Sequence, residues 1–392
     1  MNKYHLNEPF LSELETRYVL DVLASNWLSC NGEHTETFER KFASYVGVKH
    51  CIAVQSGTAA LHLALRTLGV GENDRVIVPN YSCGASISSV TQCGAIPVVM
   101  DIEDETYGLN AENLERAVQK HSPKAIQLVH VYGYPARDTL AIRELCDQYG
   151  IYLVEDACEA LGATLNDKML GQFGDIAVFS LRSEKMIGVG EGGVVVTSDG
   201  RLHDEALLLA SRAAPFRGGE SPYWRKYCYR GEGYNYLLPH LLGAVARGQI
   251  ERFEGEILPA KRRVGLTFRE LFSELSGIQL QTVIPQASPV YWLNTVFIEG
   301  LTREEVRELG EALIAQGVEI RSGFWPLSDM EGFKAEVFGS QEIAQSLFDH
   351  LLVLPSASSL TTEDLGVIRE LFLTHREALG KASLRASCAT RG

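Results

Sequence analysis

Gly174-Asp-Ile-Ala-Val-Phe-Ser180-Leu-Arg-Ser-Glu-Lys185-Met-Ile-Gly188-Val-Gly190-Glu-Gly192-Gly193-Val-Val-Val-Thr197 is the stretch on which the fold turns. A short apolar run, Ile176 to Phe179, ends in the hydroxyl of Ser180. Lys185 follows, then a cluster of glycines, then a second apolar run. Apolar runs of this length bounded by glycine read as strands, with the lysine in the turn beyond the first. Glycines let the backbone pass close to a ligand or take positive φ. A lysine held among few competing charges can lose its proton and become an imine-forming amine.

Outward from this stretch, strands and helices alternate. Cys51 to Val54, Arg75 to Pro79, Ile96 to Asp101, Ala125 to Val131 and Ile151 to Asp156 read as strands. Segments with helical spacing lie around them: 9–24, Thr35 to Val46, Ala59 to Leu68, Gly84 to Cys93, Leu114 to His121 and Thr139 to Tyr149. Near-continuous apolar strands separated by helices predict an α/β domain with a mostly parallel sheet buried on both faces. Ligands of such sheets bind beyond the carboxyl ends of the strands. After Arg252 the pattern changes to a smaller α+β unit: a helix over 258–280, a strand from Pro289 to Ile298, a helix from Thr302 to Gln316, a strand from Val318 to Arg321 and a last helix from Thr362 to Leu373. Thr302-Arg-Glu-Glu305 is a capping box by spacing. The expected division is a large domain over 1–255, a small domain over 256–380 and a flexible tail over 381–392.

The chain has 392 residues, 45% hydrophobic and 22% charged, with a net charge of -14. Two domains fit that length. The acidity and the lack of a sustained basic run give nucleic-acid binding no electrostatic support. The N-terminus has no basic segment followed by an apolar one, and no stretch reaches the ~18 apolar residues of a membrane span. The eight cysteines form no C-x-x-C pair or zinc spacing, so no metal is expected; most read as small buried hydrophobes in a reducing cytoplasm.

Three features suit pyridoxal 5'-phosphate (PLP). Its pyridine nitrogen needs a buried carboxylate, and Asp156 ends an apolar strand. Taken alone, such an aspartate is more often a helix cap. Its phosphate needs backbone N–H groups at a helix N-terminus plus hydroxyls. Ser56-Gly57-Thr58 supplies both, with Ser180 as a second hydroxyl, although Ser-Gly-Thr turns are common. Its aldehyde needs an amine, and Lys185 would anchor it and move a proton. A lone lysine is usually a solvated charge; here the order and strand-end positions of Asp, Ser and Lys favour the site.

With these residues in view, the chain resembles the DegT/StrS-type sugar aminotransferases, PLP enzymes of fold type I in the aspartate aminotransferase superfamily. The resemblance is carried by Ser56-Gly-Thr-Ala-Ala-Leu61, Val76-Ile-Val-Pro79, Gly94-Ala-Ile-Pro97, Val129-His-Val-Tyr-Gly133, Glu155-Asp-Ala157, Gly174-Asp175, Phe179-Ser180, Lys185, Gly190-Glu-Gly-Gly193, Gly233-Tyr-Asn-Tyr236 and Leu354-Pro-Ser356. It implies that Lys185 is the catalytic, cofactor-bearing lysine, that Asp156 pairs with the pyridine nitrogen, and that Gly57, Thr58 and Ser180 hold the phosphate. It implies a homodimer in which Asn235 reaches the neighbouring subunit's phosphate. Glu159 stands where many relatives have a glutamine near the ring hydroxyl.

Two positions depart from the pattern. Cys83 replaces the usual aromatic over the cofactor ring, so that either it or Tyr81 covers the ring. Leu237 follows Gly-Tyr-Asn-Tyr where relatives commonly have arginine. Candidate substrate residues are Trp27, Ser29, Arg217, Arg230 and Arg321; a basic stretch adds Arg212, Arg225 and Lys226, and a solvated loop explains that stretch equally well. The resemblance implies transfer of the amino group of L-glutamate, leaving 2-oxoglutarate, to a keto sugar for surface polysaccharide or lipopolysaccharide such as O-antigen. A nucleotide-linked, perosamine-like sugar leads. A free 8-oxo derivative of 3-deoxy-octulosonate (Kdo-type) stands as the alternative. Other classes are a dehydratase on the same fold, whose members replace the lysine with histidine, and a non-catalytic regulator. A desulfurase-like reaction would need a mobile cysteine such as Cys388.

Overall fold

The computed structural model describes residues 3–214 and 229–389, with side chains through residue 379. Arg217, Arg225 and Lys226 lie outside the described residues. In chain order the large lobe contains α1 (Glu13–Ser25), α2 (Glu33–Val46), β1 (His50–Val54), α3 (Gly57–Thr67), β2 (Arg75–Pro79), α4 (Gly84–Gln92), β3 (Ile96–Met100), α5 (Ala111–His121), β4 (Ala125–Val129), α6 (Thr139–Tyr149), β5 (Tyr152–Asp156), the short pair β6 (Thr164–Leu165) and β7 (Lys168–Met169), β8 (Ile176–Ser180), β9 (Gly193–Thr197), α7 (Gly200–Ala210) and α8 (His240–Arg252). There follow α9 (Leu258–Phe272), β10 (Ile278–Gln279), β11 (Ala287–Ser288), β12 (Asn294–Ile298), α10 (Arg303–Ala315), β13 (Arg321–Ser322), β14 (Glu336–Phe338), α11 (Glu342–His350), β15 (Leu351–Leu354) and α12 (Thr362–Ala389).

The main sheet runs β1-β9-β8-β5-β4-β2-β3-β14. Its strands pair in parallel except β9, which is antiparallel to both β1 and β8. The alternation along β2 shows why such strands read as continuous apolar runs. Val76 and Val78 join α3 in one buried cluster, while Ile77 between them joins Leu114 of α5 and Ile142 of α6 in another. Both faces are therefore covered, and each fully buried aliphatic side chain contributes about 1.5–3 kcal/mol.

The second sheet, β10-β12-β15-β13, is antiparallel and packs against α9, α10 and α12 through Phe268, Phe272, Leu309, Leu313 and Phe372. The Thr302–Glu305 capping box is present. Helix α8 continues through a π-helical turn, Phe253–Ile257, into α9.

Several elements differ from the sequence reading. The helix expected over 258–280 ends at Phe272. The strand expected from Pro289 begins at Asn294, because Tyr291 takes a left-handed φ of 54° that turns the chain before pairing starts. The last helix continues to Ala389, through much of the expected tail. Pairing also runs across the boundary expected near residue 255, as where β11 pairs antiparallel with β6. Tyr4 bridges Val318 in the small lobe. Strand β14 returns to the edge of the main sheet beside β3, where Glu336 meets Arg75 at 2.9 Å and His121 at 2.8 Å.

Candidate active site

The carboxyl ends of β5 and β8 are adjacent, with Asp156 opposite Val178, so Asp156 and Ser180 finish neighbouring parallel strands. At the end of β1, Ser56 caps α3: its Oγ accepts a hydrogen bond from the N–H of Ala59 at 3.1 Å. The first turn of α3 holds no acidic residue, so the free N–H groups and the positive end of the helix dipole are uncompensated. Gly193 at the start of β9 crosses this turn closely. A Cβ there would lie 2.4 Å from the Ser56 carbonyl oxygen. A Cβ on Gly57 would lie 3.2 Å from Ser180 Oγ, so glycine keeps open the space between the helix and that hydroxyl.

The turn carrying Lys185 is tied to itself and to α8. Leu181 N–H bonds to Gly192 O at 2.8 Å and Ser183 N–H to Gly190 O at 2.9 Å. Gln249 brackets Gly188 through both its N–H and its carbonyl. A Cβ on Gly188 would sit 2.3 Å from Ser183 O, so this turn closes only with glycine. Lys185 is thereby held with its side chain 11% exposed. Its Nζ lies 3.2 Å from Glu159 Oε1 and 3.4 Å from the centre of the Trp292 ring.

A cavity of about 610 Å³ collects these groups: Ser56, Gly57, Thr58, Cys83, Asp156, Glu159, Ser180 and Lys185 all line it. Arg321 lines its small-lobe side, near Glu184 at 3.4 Å and Glu319 at 3.5 Å. Cys83 faces the cavity. Tyr81 does not: it is fully buried behind the wall, with its hydroxyl 3.0 Å from that of Tyr132.

Other candidates do not line this cavity. Trp27 and Ser29 lie in the loop after α1, where His240 holds the Trp27 carbonyl at 2.9 Å. Asn235 is exposed and pairs with Ser211 in an isolated bridge. Arg230 is exposed, its N–H bonded to Ala213 O at 3.0 Å. Leu237 bridges Val54 instead of facing the cavity. The most consequential residue not singled out from the sequence is Trp292; it falls inside the strand expected from Pro289 to Ile298, and it follows the turn at Tyr291 and lies against Lys185.

The electrostatics suit a cationic ring. Burial raises the pKa of Asp156, against hydrogen bonds from Cys158 and the charges of Lys185 and His130. Burial also raises that of Glu159, against Lys185 and the Tyr132 N–H, which donates to Oε2 at 2.8 Å. A buried carboxylate, an anion-binding helix terminus with hydroxyls and a largely enclosed amine line one cavity, and these groups fit a protonated pyridine, a phosphate and an aldehyde respectively.

A sequence model of the DegT/DnrJ/EryC1/StrS aminotransferase family matches residues 9–372. The chain is 36% identical over 321 residues to the GDP-perosamine synthase of Vibrio cholerae, covering 81% of this chain and 84% of that one. It is 33% identical over 333 residues to the dTDP-3-amino-3,4,6-trideoxy-alpha-D-glucose transaminase of Streptomyces venezuelae, covering 83% and 82%. Among solved structures, S. venezuelae DesV superposes with a TM-score of 0.83 at 30% identity, over 96% of this chain and 99% of that one. The aminotransferase TlmJ of Streptoalloteichus hindustanus superposes with a TM-score of 0.87 at 25% identity, over 96% and 100%.

Proposed function

The chain belongs to the DegT/DnrJ/EryC1/StrS aminotransferase family and is a PLP-dependent enzyme of fold type I, and from that premise we propose that it transfers the amino group of L-glutamate to a nucleotide-linked keto sugar of the perosamine kind. The observation that carries the reading is that Lys185, Asp156 and the Ser56–Thr58 helix terminus line one cavity.

PLP, when bound, supplies the electron sink that lets an amino group leave one carbon and join another. The rest falls to the chain. Gly57, Thr58 and Ser180 bind the phosphate; Ser56 caps the helix whose terminus they share. Asp156 keeps the pyridine nitrogen protonated. Lys185 carries the cofactor and, once freed, takes a proton from the amino donor and returns one to the sugar carbon. Glu159, 3.2 Å from Nζ, holds the amine at rest. Cys83 covers the ring. Arg321 takes a carboxylate or phosphate of the substrates. Asn235 lies outside its own cavity and serves the partner's phosphate in a homodimer with shared sites.

The GDP-perosamine synthases among the relatives support the sugar class, and a named spore coat polysaccharide protein supports a role in surface polysaccharide. Among the described residues no helix is long and apolar enough to cross a membrane, and we place the enzyme in the cytoplasm, where nucleotide sugars and glutamate are supplied. Incubation of holoenzyme with GDP-perosamine alone should convert the bound cofactor to its aminated form, and addition of 2-oxoglutarate should then yield glutamate and restore the PLP form. Conversion by glutamate but by no nucleotide-linked amino sugar would refute the acceptor class.

A further inference from the structure

Beneath the turn that carries Lys185 lies a second lysine that the reaction does not use. Lys261 of α9 is 1% exposed. Among the described residues no carboxylate pairs with it. Its Nζ donates to Asn7 Oδ1 at 3.1 Å, to Ser356 Oγ at 3.1 Å and to the Ser356 carbonyl. Burial holds its pKa well below the ordinary lysine range.

The network leads back to the cavity. Asn7 Nδ2 donates to the Glu184 carbonyl at 2.7 Å. The same carbonyl accepts from Trp292 Nε1 at 2.6 Å. Ser356 Oγ lies 2.9 Å from the Trp292 carbonyl, and the Trp292 ring lies beneath Lys185 Nζ. The peptide immediately before Lys185 is thus held by two donors from distant parts of the chain, both anchored at Lys261 or Ser356.

Polarity fixes the arrangement. The Glu184 carbonyl can only accept, so the Asn7 amide turns its nitrogen toward Glu184, which leaves its oxygen to accept from Lys261. The opposite orientation would set acceptor against acceptor at Glu184.

We propose that Asn7, oriented by Lys261, is a positioning residue: with Trp292 it clamps the Glu184 carbonyl and so fixes the direction in which Lys185 enters the cavity. The inference rests on the reading of Lys185 as the cofactor-bearing lysine.

Asn7→Asp separates positioning from stability. The new carboxylate gives Lys261 a counter-charge but confronts the Glu184 carbonyl with an acceptor. The expected holoenzyme melts no lower than the parent and binds PLP. Its visible circular dichroism per bound PLP falls by about half or more and kcat falls ~10-fold, as a displaced reacting group requires, while KM for glutamate stays within about two-fold. Asn7→Ala removes the donor without adding charge and should show the same pattern; it serves as the test should Asn7→Asp fail to accumulate. Parent-like circular dichroism and kcat in these variants would overturn the positioning role alone. A parent PLP band that survives Lys185→Ala would overturn the underlying reading and the proposal with it.

Discussion

Replacing Asp156 by asparagine should act in opposite directions on the apo and holo proteins. The carboxyl is 6% exposed at the end of β5. It accepts from the Cys158 N–H at 3.1 Å, which an asparagine oxygen can also do. Lys185 pairs with Glu159 instead. Because burial raises its folded pKa, the folded chain holds this proton more tightly than the unfolded chain. The ionised carboxylate therefore subtracts stability above the raised pKa, and the penalty fades as pH falls through that value toward the ordinary one near ~4. The Asp156→Asn apoenzyme should melt at or above the parent at pH 7, with the advantage shrinking on acidification.

The holoenzyme should behave in the opposite sense. A charge-assisted hydrogen bond to a protonated pyridine contributes about 1.5–3 kcal/mol. Its loss weakens PLP binding by about 10- to 150-fold at ~1.4 kcal/mol per decade. Thermal melts of apoenzyme across pH, with titration of PLP followed by absorbance, measure both quantities. An Asp156→Asn variant that destabilises the apoenzyme and leaves PLP affinity within about two-fold would show that Asp156 is a structural cap, and the cofactor reasoning would fail.

Gly193→Ala should lose about 1–3 kcal/mol in urea denaturation, because its Cβ would meet the Ser56 backbone 2.4 Å away. Arg321→Ala should leave stability within about 0.5 kcal/mol, since its ion pairs are loose and its side chain is 51% exposed; KM for one of the two substrates should rise about 10-fold or more in steady-state assays. Thr302→Ala should cost about 1 kcal/mol by removing the capping box of α10, with kcat/KM unchanged.

What the sequence made legible was local. Strands β2 to β5 and β8 announce themselves as apolar runs. Asp156 and Ser180 were legible as strand-end residues on the edge where parallel strands finish; that their strands are neighbours depends on the pairing of β5 with β8. Lys185 was legible from the glycines whose Cβ-free backbones let its turn close. The antiparallel insertion of β9 and the return of β14 to the far edge depend on pairing between distant segments, which no local pattern records. Trp292 depends on one left-handed residue at Tyr291. Asn7 depends on a hydrogen bond to a carbonyl 177 residues away. The expectations for Trp27, Ser29, Arg230 and Asn235 concern surfaces outside the cavity, where neither spacing nor periodicity fixes what a side chain meets.

The central claim is that Lys185 carries PLP. Holoenzyme reduced with borohydride, digested and examined by mass spectrometry should bear the reduced cofactor on the peptide containing Lys185, and Lys185→Ala should show neither that adduct nor the parent's visible absorbance band. An adduct on another lysine, or a band that persists in Lys185→Ala, would contradict the account.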